Sequence, residues 1–216
     1  MSAPPQGLPL GCKFELTFWV GIDGGQDKTG AIINWELLQV CIIQCIDTTT
    51  SPPTYSIRTP FFMWLVPDPD TNASKQALCH DLGTQSYAVI DPGDEIFLWI
   101  SYESNPDGSP YGNVSCYNCT KGWQTPFHVV PPPGATCAGK SIEWIIENGN
   151  ETNPDRGWPP VVPQFTPFEL ILGQDIDPRT DGVITNMQDT TISGKPIVTW
   201  VSLEKGLVKI SYWPRA

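Results

Sequence analysis

An all-β fold, an antiparallel sandwich of two packed sheets, is the class this 216-residue sequence predicts, on three observations. Short apolar or alternating runs are separated by clusters of Pro, Gly, Asn and Asp, the spacing expected of many short strands joined by turns. Helical periodicity is almost absent. Trp (9), Pro (23) and Gly (19) are abundant while charged residues are only 16%, so folding must rest on burial and turn chemistry rather than on salt-bridged helices.

The expected strands cover residues 13–22, 35–46, 59–66, 86–90, 95–102, 113–118, 127–130, 141–147, 168–172, 197–201 and 207–213. DPGDE at 91–95 reads as a turn, and ESNPDGSPYGN at 103–113 as a longer loop. One short helix is expected within 68–82, through SKQALCHDL. The Asn-, Pro- and Gly-rich stretch 148–166 reads as an excursion between strands, the kind of loop that builds binding sites on a rigid sheet. No repeat or domain boundary interrupts the chain, so a single domain over 1–216 is expected, with residues 1–12 extended.

A net charge of −11 argues against nucleic acid and anionic membranes as partners, and no stretch approaches the length of a membrane-spanning helix. Four N-x-S/T sequons, at Asn72, Asn113, Asn118 and Asn150, favour a secreted glycoprotein. MSAPPQGLPLGCK has no apolar signal core. Either a targeting segment lies outside this sequence or the protein is intracellular. Seven cysteines leave at least one unpaired if the rest form disulfides. Cys116 and Cys119 form a single CxxC with no second pair, and with two histidines no metal site and no cofactor are expected. Cys41 and Cys45 share one face of a strand as buried thiols.

Common catalytic patterns are missing: there is no GxSxG, HExxH, P-loop or dinucleotide fingerprint. His80 and His128 read as structural, and Asp181-Gly182 follows Thr180 in the wrong order for a pepsin-type motif. What remains is a carboxylate on a strand. In SIEWIIE, alternation puts Ser141, Glu143, Ile145 and Glu147 on one face, with Ile142, Trp144 and Ile146 facing the core. Desolvation there would raise the proton affinity of Glu143. Patterning alone favours a surface carboxylate opposite a buried face.

SIEWIIE also resembles the glutamic-peptidase (eqolisin) motif of a small residue, Glu, an aromatic and branched aliphatics leading to a second acid. FWVGIDGG is similar to that family's Trp-Val-Gly-Ile-Asp-Gly segment. WELLQVC resembles the strand carrying its catalytic glutamine, and FFMWLVPD the aromatic strand that follows. DPGDEI and YNCTKG resemble its later turn and hairpin. The pieces run in the family's order from Trp19 to Glu147.

The resemblance implies an acid endopeptidase on a β-sandwich, without metal or cofactor. It would act as a monomer on peptide or unfolded protein. Glu143 takes the role of general base and acid on a bound water, and Gln39 that of the amide that steadies the oxyanion. Trp19, Asp23 and Trp64 line the cleft. Gln39 follows Leu37-Leu38 as the family pattern asks, but Gln44, after Ile42-Ile43, stays the alternative. Five positions apart, the two face opposite sides of a regular strand. Three departures stand out: Val40 and Cys41 after Gln39, Met63 in place of an acid, and no Asn-Trp-Gly-Gly motif near the N-terminus. The competing classes are a non-catalytic carbohydrate-binding sandwich, which exposed Trp residues would serve, and a glycosidase, which needs a second carboxylate across the cleft.

Overall fold

Alternating, β-branched and aromatic runs leave strands as the way to pair this chain's backbone groups while burying one face. The structure is a computed structural model. It describes residues 11, 13–25, 29, 31–71, 73–82, 88–91, 93–148, 168–169, 199–204 and 207–212. By contacts the chain divides into two compact units, one of residues 15–45 and 55–149, the other of 1–14, 46–54 and 150–216. Among the described residues every regular element is a strand.

Ten strands lie wholly or largely before residue 149. They are β1 (Lys13–Asp23), β2 (Leu37–Asp47), β3 (Thr54–Ile57), β4 (Phe61–Pro67), β5 (Ser74–Asp81), β6 (Ile96–Ser104), β7 (Pro110–Asn118), β8 (Trp123–Gln124), β9 (Phe127–Val129) and β10 (Ile142–Asn148). One antiparallel sheet runs β10-β1-β2-β4-β5, with β3 paired to β2. The other runs β6-β7-β8, with β9 paired to β7. Val20, Leu38, Val40, Phe62, Trp64 and Val66 of the first sheet bury against Val114 and Val129 of the second. Close approach of the sheets requires Gly112, where a Cβ would lie 2.5 Å from Leu38 Cδ2. The other unit shows β11 (Phe168–Glu169), β12 (Thr199–Glu204) and β13 (Leu207–Tyr212) in the order β11-β13-β12.

The expected helix within 68–82 is corrected to a strand. Ser74–Asp81 pairs antiparallel with β4, with Phe62 opposite His80 and Met63 opposite Cys79. SKQALCHD contains good helix formers, but their preference is only a few tenths of a kcal/mol per residue. Pairing with β4 satisfies a whole row of backbone groups, and tertiary context prevails. The expected strand at 86–90 is not a strand at 88–90; the remainder, like most of 148–166, lies outside the described residues.

The six described cysteines, Cys41, Cys45, Cys79, Cys116, Cys119 and Cys137, are free thiols. Burial pushes the Cys116 thiol up to about 12, with a further contribution from Cys119. Both histidines pack on aromatic rings: His80 lies tilted against Phe127 at 4.7 Å, and His128 stacks on Tyr111 at 4.0 Å.

Candidate active site

Glu143 is half-buried on β10, and the register sets it directly opposite Gly21 of β1, with Ile145 opposite Trp19. Directly paired residues of an antiparallel ladder project to the same face. Glycine at 21 brings no side chain to that face, and those of Leu37 and Trp19 pack over it instead. A Cβ there would meet Leu37 Cδ1 at 2.7 Å and the Trp19 ring at 2.9 Å. Trp19, Leu37 and Cys41 form one buried cluster, against which Phe61, Leu65 and Ile145 pack. The carboxylate therefore sits on an apolar sheet face turned away from the sandwich core.

Gln39 shares that face. It lies between Leu37 and Cys41 on β2, two strands from Glu143 in the order β10-β1-β2, or roughly 10 Å between backbones. It is 8% exposed, sits opposite Met63 on β4, and donates an amide hydrogen to Met63 Sδ at 3.7 Å. Gln44 follows the parity of Leu38, Val40 and Ile42, the opposite face; it is 2% exposed, and its Oε1 has no hydrogen-bond partner among the described residues. Beyond Gln39 the Glu143 face continues into a depression of about 390 Å³ lined by Ile43, Arg58, Thr59, Phe61, Cys79 and Asp81.

The three cleft candidates separate. Trp19 is on the Glu143 face, 7% exposed, and its Nε1–H has no partner among the described residues. Trp64 is fully buried in the sandwich core, where Nε1 donates to Glu36 Oε1 at 3.1 Å. Asp23 is also fully buried, at a left-handed φ of +69°. Its carboxylate accepts the backbone N–H groups of Gly139 (3.0 Å) and Lys140 (2.7 Å). Neither Trp64 nor Asp23 presents surface to a ligand. Both act within the protein, Asp23 by fixing the segment that enters β10.

The sequence reading missed Glu36. This fully buried carboxylate accepts Trp64 Nε1, Thr136 N (2.7 Å), Thr136 Oγ1 (2.6 Å) and Cys137 N (3.2 Å). A buried charge survives only when so compensated. The available signal was its position, an acid abutting the uninterrupted apolar run LLQVCII. Glu36 and Asp23 together anchor the loop 136–140. Burial, then Glu36 and Asp23, push the Cys137 thiol up to about 11. Burial and the same two carboxylates raise the Tyr102 phenol.

Two sequons can be placed. Asn118 is fully buried, its amide donating to Asp94 Oδ2 (2.7 Å) and accepting Lys121 N (2.9 Å), which leaves no room for a glycan on the folded chain. Asn113 is half-buried and donates to Glu103 Oε1 at 2.6 Å. Asn72 and Asn150 lie outside the described residues.

Residues 2–212 match the Peptidase A4 family, the eqolisins. The chain belongs to that family. Its fold is similar to aspergilloglutamic peptidase from Aspergillus niger, with a TM-score of 0.59 and 19% identity, over 93% of this chain and 99% of that one. It is similar also to scytalido-glutamic peptidase bound to a transition-state analogue inhibitor, with a TM-score of 0.52 and 19% identity, over 95% of this chain and 87% of that one. No curated protein sequence matches it. The glutamic-peptidase resemblance and the all-β fold therefore stand, and a peptidase is the activity that membership of this eqolisin family supports.

Proposed function

We propose that this eqolisin is an endopeptidase that hydrolyses peptide bonds with Glu143, Gln39 and an activated water, and calls on no metal. The observation that carries the reading is the shared sheet face of Glu143 and Gln39, with side-chain-free Gly21 on the intervening strand. Two strand spacings, about 10 Å, separate the two backbones, and the Leu37 and Trp19 side chains packed over Gly21 form the floor on which a water and a scissile carbonyl would lie. Glu143 takes a proton from the water as it attacks the carbonyl carbon. It then returns that proton to the leaving amine. The Gln39 amide N–H donates to the oxygen that gains negative charge, and it does so without titrating. Met63 Sδ, a weak acceptor, holds that amide only loosely before substrate arrives.

Trp19 packs over Gly21 on the same face and supplies an apolar wall beside Glu143. The depression beyond Gln39 offers space for a side chain of an extended peptide on the same face. Peptide substrate, a single copy of the chain as the working unit, and secretion complete the proposal.

Cleavage of a denatured protein between pH 2 and 7 tests it, with Glu143→Gln as the comparison. Activity in the wild type and its loss in the variant is the expected result. Cleavage that survives Glu143→Gln removes the residue from the mechanism. The alternative, a carbohydrate-binding module, would draw on Phe97 and Trp99, exposed neighbours on β6 with ring centroids 6.2 Å apart. Polysaccharide binding that is lost in Trp99→Ala, with no cleavage at any pH, is the outcome that favours it.

A further inference from the structure

Past Asp23 the chain turns at Gly24, φ +81°, and lays Gly25 over the start of β10. The Gly25 N–H donates to Ser141 Oγ at 3.0 Å, and the Asp23 N–H donates to the Ser141 carbonyl at 2.8 Å. The Gly25 carbonyl accepts Ile33 N–H at 2.8 Å, so the turn is fixed from both sides. The contact is tight: a Cβ on Gly25 would lie 2.6 Å from Ser141 Oγ and 3.2 Å from Glu143 Oε1. Backbone, hydroxyl and carboxylate thus crowd one small space. Only glycine fits the first position.

We infer that Gly25 and Ser141 are positioning residues that hold the Glu143 carboxylate in its working orientation; the inference rests on the peptidase reading of Glu143. A glutamate side chain restrained to one rotamer loses about 1.5–2 kcal/mol of entropy, so something must confine it. The Gly25 backbone closes one side. Ser141, two residues before Glu143 and on the same strand face, stands next to it. Pinned by the Gly25 N–H, its hydroxyl accepts one hydrogen bond and keeps its own O–H to donate on that face. Asp23 supports the arrangement from behind by tying down Gly139 and Lys140.

Steady-state kinetics on Ser141→Ala, Ser141→Thr and Gly25→Ala tests this. Ser141→Ala adds no bulk and lowers kcat about tenfold with KM unchanged; Gly25→Ala, whose Cβ collides with Ser141 and presses on the carboxylate, lowers kcat by about tenfold or more. Ser141→Thr keeps the hydroxyl and restores most of kcat. Wild-type kcat in Ser141→Ala, or no rescue by threonine, overturns the inference.

A second readout needs no catalysis. With 13C-carboxyl-labelled glutamate, the Glu143 resonance is identified by its disappearance in Glu143→Gln. Ser141→Ala must move that resonance and its titration, and an unmoved signal overturns the positioning role. If the signal moves but the wild type cleaves nothing, the peptidase reading fails while the restraint on Glu143 stands.

Discussion

Gln39 and Gln44 lie five positions apart on β2, and that odd number sends them to opposite faces. Gln39 joins Leu37 and Cys41 on the Glu143 side, whereas Gln44 is buried with the parity of Leu38 and Val40. Replacing the amide at 39 removes one transition-state donor: Gln39→Ala is expected to lower kcat by about 10²–10³. At 44 the expectation reverses. The buried Gln44 Oε1 has no partner among the described residues, so Gln44→Leu leaves kcat unchanged and stability equal or about 1 kcal/mol higher. Kinetics and urea unfolding on the two variants decide between the glutamines. Glu36→Ala is different again, since it strands Trp64 Nε1 and the Thr136 and Cys137 N–H groups. A loss of about 3 kcal/mol in urea unfolding is expected.

At the scale of elements, strands with a strong period or apolar run were legible: β1, β2, β4, β6, β7 and β10 lie within two or three residues of their expected bounds. β5 was not, because SKQALCHD takes its strand character from the pairing edge of β4 rather than from its own side chains. The candidate site divides the same way. That Ser141, Glu143 and Ile145 share a face follows from alternation along one strand, and so does the separation of Gln39 from Gln44. The roles of Asp23 and Trp64 depend on partners far off in sequence, Gly139, Lys140 and Glu36, which no local pattern announces. Contact between the sheets yields an element-scale prediction. A Cβ at Gly112 would meet Leu38 Cδ2 at 2.5 Å and the Trp64 ring at 3.3 Å. Gly112→Ala should destabilise by about 1–3 kcal/mol through overpacking. A urea midpoint equal to wild type would show that the sheets can part without cost.

The molecule as a whole carries 23 acidic residues against 12 Lys and Arg, so its behaviour in acid depends on which carboxylates must stay ionised to hold the fold. Asp94 is one. Burial alone would raise its carboxyl, but the Asp91 N–H, the Asn118 amide and the Lys121 ammonium, 3.0 Å away, outweigh burial and hold it below the ordinary 3.8. A carboxyl with a depressed folded pKa contributes stability that is present above its unfolded value and lost as pH falls through the folded one. The tie between the turn at 91–95 and the hairpin at 118–122 should therefore weaken below about pH 3.8, inside the range in which an acid peptidase would work. Urea unfolding of wild type and Asp94→Asn at about pH 6 and about pH 2.5 tests this. The variant should be less stable at the higher pH, and the gap should shrink at the lower. A gap that stays constant would mean that Asp94 keeps its charge throughout, and no gap at either pH would mean that Asn118 and Lys121 hold the turn without it.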